Sequence, residues 1–235
     1  MKKFALLLLV LCAALVPCGI FAVPGWAATY YVDAKAGDDS KDGTSETAPL
    51  KTIQAALGKA TEDGTKGLQT DTTVVLLSDI ETTSTVQIAY LNTHTLIING
   101  NGHTLRGSGK GNGSVISVLE TGGLTINDLT ITGGNAEEGG GGISIAGANV
   151  DLTVTNCVFT GNHAEGTTEL DGGGAIYSSG GTLTVENCTF TGNTTGVFGG
   201  AIWVGAAESA SITNCTFYDK IQGLSCAHPN VGSVL

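Results

Sequence analysis

Proline is scarce in this chain, at 4 of 235 residues, and so are charged residues at 13% and aromatics at 6%. Arg106 is its only arginine. Little charge with 36 glycines is a composition shared with disordered chains. Disordered chains also lack β-branched and apolar residues, whereas Thr, Ile, Val and Leu recur here in short runs. No phosphate loop, dinucleotide fingerprint, Ser-centred nucleophile motif, C-x-x-C pair or His–Cys cluster occurs. The sequence therefore offers no motif for nucleotide binding, acyl transfer or zinc. Nothing after residue 27 approaches the roughly 20 apolar residues of a spanning helix.

The first 27 residues read as a secretory leader. Lys2 and Lys3 form the basic start, Leu6 to Val16 the apolar run, and Gly25 and Ala27 the small residues before the cut. Pro17, just before Cys18, does not suit a lipoprotein site. Residues 28–235 then form one secreted or cell-surface domain, large enough for a full core. This part carries eight basic and 21 acidic side chains, a net charge of −13. Such a field repels nucleic acid and anionic membrane surfaces, so no nucleic-acid partner is expected.

What is present is a succession of short strands split by Gly-rich turns. TYYVD (29–33), TTVVLL (72–77), TVQIA (85–89), TLIIN (95–99) and SVISVL (114–119) read as strands. Leu50, Ile53, Ala56, Leu57 and Ala60 recur at helical spacing, which predicts one amphipathic helix over 50–60 with Pro49 in its first turn. From about residue 124 the chain repeats itself: LTINDLTITGGN (124–135), LTVTNCVFTGN (152–162), LTVENCTFTGN (183–193) and ASITNCTFYDK (210–220). Asp128, Asn156, Asn187 and Asn214 are 28, 31 and 27 residues apart. Between these stretches come GGGGISI (139–145), GGGAIYS (172–178) and FGGAIWV (198–204). A period in the upper twenties with several strands per unit predicts a β-solenoid.

Stacking places equivalent residues about 4.8 Å apart, in ladders. Asn156, Asn187 and Asn214 are expected at one corner, because Asn tolerates left-handed backbone. Phe159, Phe190 and Phe217 are expected to stack inside. Cys157, Cys188 and Cys215 share a repeat position and are expected to form an inward ladder of free thiols. Cys226 is a fourth, in a tail (221–235) that leaves the pattern. That tail suggests either a chain cut short of further coils or a naturally short one, and an open solenoid end suggests self-association.

The segment YYVDAKAGDDSKDGTSETAPLKTIQAAL (30–57) resembles the N-terminal entry of the pectin-lyase-like right-handed parallel β-helix superfamily, in which the helix caps the solenoid. NGNGHTL (99–105) is similar to the Gly- and Asn-rich corner of the first coils in such proteins. The later repeats resemble polymorphic outer membrane proteins, which carry F-x-x-N and G-G-A-[ILV] motifs. Phe159–Asn162 and Phe190–Asn193 match the first, and Gly173–Ile176 and Gly199–Ile202 the second. The resemblance implies an all-β right-handed parallel β-helix. It says little of function, since the superfamily holds lyases, hydrolases and adhesins.

Candidate chemistry is thin. Hydrolysis needs two carboxylates across the scissile bond, but Asp38 and Asp39 are adjacent and point apart on an extended chain. A lyase base from a middle coil has only Arg106 and Lys110 to draw on, both beside an early turn. His103 sits in the same corner, where a packing role is expected. No catalytic residue is therefore assigned. The inter-repeat loops bring Glu137, Glu138, Glu165, Glu169 and Asp171 towards one flank, an oxygen-rich set that suits Ca²⁺. N-x-[ST] sequons at Asn112, Asn187, Asn193 and Asn214 are expected by chance in so Asn- and Thr-rich a repeat. The expected function is an adhesin-like scaffold for polysaccharide or host surface protein, without catalysis. The alternative is a polysaccharide lyase or glycoside hydrolase of the same fold. If the full-length form is anchored, the outer membrane or cell wall is the expected location.

Overall fold

The computed structural model describes residues 27–218 other than 62–66, 90, 110–112, 120, 148, 169–170 and 206–208, together with the strand 224–226. The proposed leader (all but Ala27), Lys110, Asn112, Glu169, the side chain of Cys226 and the rest of the tail lie outside the described residues.

The chain forms a parallel β-solenoid of about five turns. Its first face stacks Ala28–Val32, Thr72–Leu76, Thr95–Asn99, Gly122–Asn127, Val150–Thr155, Thr182–Glu186 and Ser209–Thr213, in that spatial order. The second stacks Ile80–Glu81, Thr104–Arg106, Thr130–Thr132, Val158–Thr160, Thr189–Thr191 and Thr216–Phe217. The third stacks Val86–Ile88, Ile116–Val118, Ile143–Ile145, Ile176–Ser178, Ile202–Val204 and Leu224–Cys226. A minor sheet of Asn135–Ala136, His163–Ala164 and Thr194–Thr195 follows the second face in three coils. Sequence order and spatial order coincide, so each coil rests on the one before.

One coil shows why the sequence folds this way. Leu152 and Val154 point in from the first face, and Cys157 and Phe159 from the second, all buried. The inward side switches from even to odd positions because Asn156 turns the corner with φ +54. Asp128, Asn187 and Asn214 do the same at φ +50, +55 and +51. Short polar side chains tolerate this left-handed backbone best after glycine. The register then repeats each contact: Leu124↔Leu152↔Leu183, and Ile116↔Ile143↔Ile176↔Ile202. Each fully buried aliphatic side chain in these columns contributes about 1.5–3 kcal/mol. Gly173, at φ +67, closes the turn into the third face, where a Cβ would overlap the Ile176 carbonyl.

The helix is shorter than expected, Ile53–Ala60, and Pro49 is not in its first turn. Leu50 belongs to the sheet instead: its N–H donates to the Tyr31 carbonyl and its carbonyl accepts from the Asp33 N–H. Both of its backbone groups are thus spent before the helix begins. Thr52 is the N-cap, its Oγ1 accepting from the Ala55 N–H at 3.1 Å. The helix ends on the solenoid edge. Gln54 Nε2 donates to the Gln87 carbonyl at 3.4 Å, and its Oε1 accepts from the Gln87 N–H at 3.3 Å. Gln87 lies on the outermost strand of the third face, so one side-chain amide pairs an otherwise free edge.

Candidate functional site

The turns that lead into the third face all leave the solenoid on one flank. Their backbones are laced together from coil to coil. The Glu165 N–H donates to the Ala136 carbonyl at 2.8 Å, Gly166 to Glu137 at 3.1 Å, and Gly196 to Ala164 at 3.0 Å. Gly140 donates to Gly172 and Gly173, and Gly173 in turn to Phe198 at 3.1 Å. The lacing gathers exposed Glu137, Glu138 and Glu165 with half-buried Asp171 and exposed Phe198.

Tyr177 is the aromatic centre of this flank. It occupies the outward column Gln87, Ser117, Ser144, Tyr177, Trp203 of the third face. Its ring stacks on Trp203 with centroids 4.8 Å apart and planes 7° from parallel. Trp203 is only 3% exposed, so it is a support for Tyr177 and not a second contact surface. The Gly172 turn covers it: a Cβ there would lie 2.7 Å from Trp203 Cδ1. The Tyr177 phenol is held above its ordinary value, first by burial and then by the negative charges of Asp171 and Glu138. It therefore stays a neutral hydroxyl beside two carboxylates.

Asp171 is already occupied in part. Its Oδ2 accepts from the Thr167 N–H at 3.0 Å, the Thr168 N–H at 2.9 Å and the Thr168 hydroxyl at 3.0 Å. Burial pushes this carboxyl up, but those bonds outweigh it and hold it below the ordinary value. Among the described residues no three His, Cys, Asp or Glu side chains come together as metal ligands.

The other sequence candidates are structural neighbours of turns. Asp38 accepts from the Ser40 N–H at 2.9 Å. Asp39 clasps the helix entry, accepting from the Lys51 and Thr52 N–H groups at 2.7 and 2.9 Å. His103 Nδ1 lies 3.4 Å from Asp79 Oδ1, beside the N–H of Thr104 that Asp79 also binds. Arg106 ends a second-face strand in register with Glu81 and Thr132.

The inward ladders are continuous. Phe159, Phe190 and Phe217 stack with centroids 5.0 and 4.8 Å apart. Cys157, Cys188 and Cys215 are free, and the Cys157 N–H donates to Cys188 Sγ at 3.4 Å. The Cys188 thiol is pushed up to about 12 by its hydrogen bond with Cys157 and by burial. One ladder has no counterpart in the sequence reading. Asn162 and Asn193 are buried at 0% and 3% exposure, and each amide serves the neighbouring coil. The signal was in plain view, since these are the last residues of the two F-x-x-N matches.

Among the described residues no helix is long and apolar enough to cross a membrane. No curated protein and no solved structure matches the chain. A family model described as the right handed beta helix region matches residues 88–233, more than half of the 235. With its parallel coils, corner ladders and this match, the chain belongs to the right-handed β-helix family.

Proposed function

We propose that this chain is a secreted or cell-surface scaffold, adhesin-like, that binds host-surface or glycan ligands through its loop flank without catalysing a reaction. The observation that carries this reading is the cross-coil lacing that holds Tyr177, Glu138, Asp171 and Phe198 on one rigid flank. The half-exposed Tyr177, its ring set between Trp203 and the Gly139 turn, presents a phenol edge beside carboxylate hydrogen-bond acceptors, the chemistry by which sugar hydroxyls and basic peptides are held. In this reading residues 28–235 are the exported domain, and the F-x-x-N and G-G-A-[ILV] repeats serve the coils and not a substrate. The lyase or hydrolase reading draws on no comparable arrangement. Asp38 and Asp39 are each committed to backbone N–H groups of the entry segment.

The test is a glycan and extracellular-matrix binding screen on the secreted protein, with Tyr177→Ala in parallel. Binding that Tyr177→Ala abolishes, with no new reducing ends or unsaturated products, is the expected result. Product release by the wild type overturns the non-catalytic reading. Failure to bind any member of the screen overturns the ligand-binding one.

A further inference from the structure

Three departures from the repeat fall at one place on the corner between the first and second faces. The first is an insertion. In the regular coils two residues separate the faces, as between Asn127 and Thr130 or Thr155 and Val158. In the second coil four residues lie between Asn99 and Thr104, so Asn101 and Gly102 bulge outward. The second is a charge: Asp128 stands in the corner column that Asn156, Asn187 and Asn214 otherwise fill. The third is a lost hydroxyl. Val158 interrupts the column Thr104, Thr130, Val158, Thr189, Thr216.

Together they line a groove of about 330 Å³, bounded by Asn101, Asp128, Thr130 and Asn156 with Leu129 and Val158 as its apolar lining. The bulge that walls it is fixed. The Asn101 N–H donates to Asn99 Oδ1 at 3.0 Å, its side-chain amide donates to the Leu76 carbonyl at 3.4 Å, and the Gly102 N–H donates to the Asp128 carbonyl at 2.8 Å. Among the described residues no hydrogen-bond partner takes up the Asp128 carboxylate or the Asn156 side-chain amide. Both residues are exposed and line the groove.

We propose that this corner groove is a binding subsite for a neutral sugar ring. A carboxylate accepts from a pair of neighbouring hydroxyls, the Asn amides supply a donor and an acceptor, and the Thr130 hydroxyl does either. Val158, in place of threonine, offers a methyl surface to the C–H face of a pyranose. One carboxylate is too few for a Ca²⁺ cage, and it repels uronic acids in a chain of net charge −11. The volume lies at the small end of ligand pockets, about 300–1,000 Å³, which fits a ring or two and not a long chain. A preformed wall spares the ordering cost of binding.

The inference rests on the glycan half of the function proposed above but uses a separate surface. The test titrates the secreted full chain with maltotetraose, cellotetraose, mannotetraose and chitotetraose by ligand-observed NMR and calorimetry. Two variants leave the corner backbone intact: Asp128→Asn restores the residue of the other coils, and Asn156→Gly keeps a left-handed position open. Each is expected to weaken binding at least fivefold. Asn187→Gly, the same change one coil beyond the groove, is expected to leave it unchanged. Binding that survives both groove variants but is lost in Tyr177→Ala overturns the groove and keeps the loop flank. Equal loss in Asn156→Gly and Asn187→Gly also overturns it. If no tetraose binds the wild type, the groove and the glycan half of the proposed function fall together.

Discussion

The side-chain oxygen of Asn193 accepts twice from Asn162, from its backbone N–H at 3.2 Å and from its amide at 3.0 Å. Asn162 passes the pattern on, accepting from the Gly134 N–H at 3.1 Å and donating to the Ile131 carbonyl at 3.0 Å. Asn193 likewise donates to the Phe159 carbonyl at 3.0 Å. The last residue of each F-x-x-N motif thus satisfies backbone groups that the turn after the second face would leave buried and unpaired.

Asn193→Ala removes those bonds and strands the buried Asn162 N–H. Each stranded buried group costs about 1–3 kcal/mol, so a loss of about 2–4 kcal/mol in urea unfolding is expected. Asn187→Ala is the contrast. Its side chain is exposed at the corner, where it accepts from the Asn214 amide in the open, and the main penalty is the left-handed backbone, at about 1–2 kcal/mol. Equal losses for the two variants, or a larger one for Asn187→Ala, would contradict the assignment of Asn193 as the buried tie.

This difference also marks what was legible in the sequence. The corner role of Asn156, Asn187 and Asn214 follows from local backbone chemistry, since a polar residue that breaks two-residue alternation has few other uses. The inward side of Leu152, Val154, Cys157 and Phe159 follows from periodicity. The role of Asn162 does not, because its partners Gly134 and Ile131 come from the preceding coil and depend on register. For the same reason the helix starts at Ile53, later than the spacing predicts. The spacing of Leu50 with Ile53 and Leu57 fits a helix, but Leu50 is held by Tyr31 and Asp33, far away in sequence. The groove at Asp128 and the Tyr177 flank both rest on such cross-coil neighbours, which periodicity alone does not rank.

Phe190 is sandwiched between Phe159 and Phe217, its ring 6° from parallel to both. Phe190→Ala leaves a cavity open to both neighbours, and the expected cost is about 3–5 kcal/mol. Phe217 is only half-buried, so Phe217→Ala is expected to cost less than half as much. Chemical denaturation of the two variants decides it. Comparable losses would mean that the Phe217 end of the stack is as enclosed as its middle.

Ser78 ties the entry segment to the first coil. Its hydroxyl donates to Asp33 Oδ1 at 2.8 Å, and its oxygen accepts from the Ala34 N–H at 3.0 Å. The Asp33 carboxyl is held below its ordinary value, first by that hydroxyl and next by the Lys35 N–H. A depressed carboxyl contributes stability that is present above the unfolded-state value and lost as pH falls through the folded one. Ser78→Ala is therefore expected to cost about 1–2 kcal/mol at neutral pH. The gap between wild type and variant should narrow as the pH falls below 4. A gap independent of pH would show that the bond does not discriminate between the two forms of Asp33.

The thiol ladder gives the opposite dependence, at the alkaline end. Cys188 is pushed from 9.0 up to about 12, by its bond with Cys157 and by burial. Below the lower value both folded and unfolded thiols keep their protons, and the contribution of Cys188 is whole. Between the two the unfolded chain ionises while the folded one does not, so stability falls with rising pH, by at most about 1.4 kcal/mol per unit. Cys188→Ala removes this contribution, and its thermal midpoint should decline less steeply than that of the wild type above pH 9. The same protonation should leave Cys188 unreactive to a thiol-specific disulfide reagent in the native protein, because the attacking species is the thiolate. Parallel alkaline declines in the two proteins, or rapid native labelling of Cys188, would mean that the ladder exposes its thiols to solvent and does not hold them inside the stack.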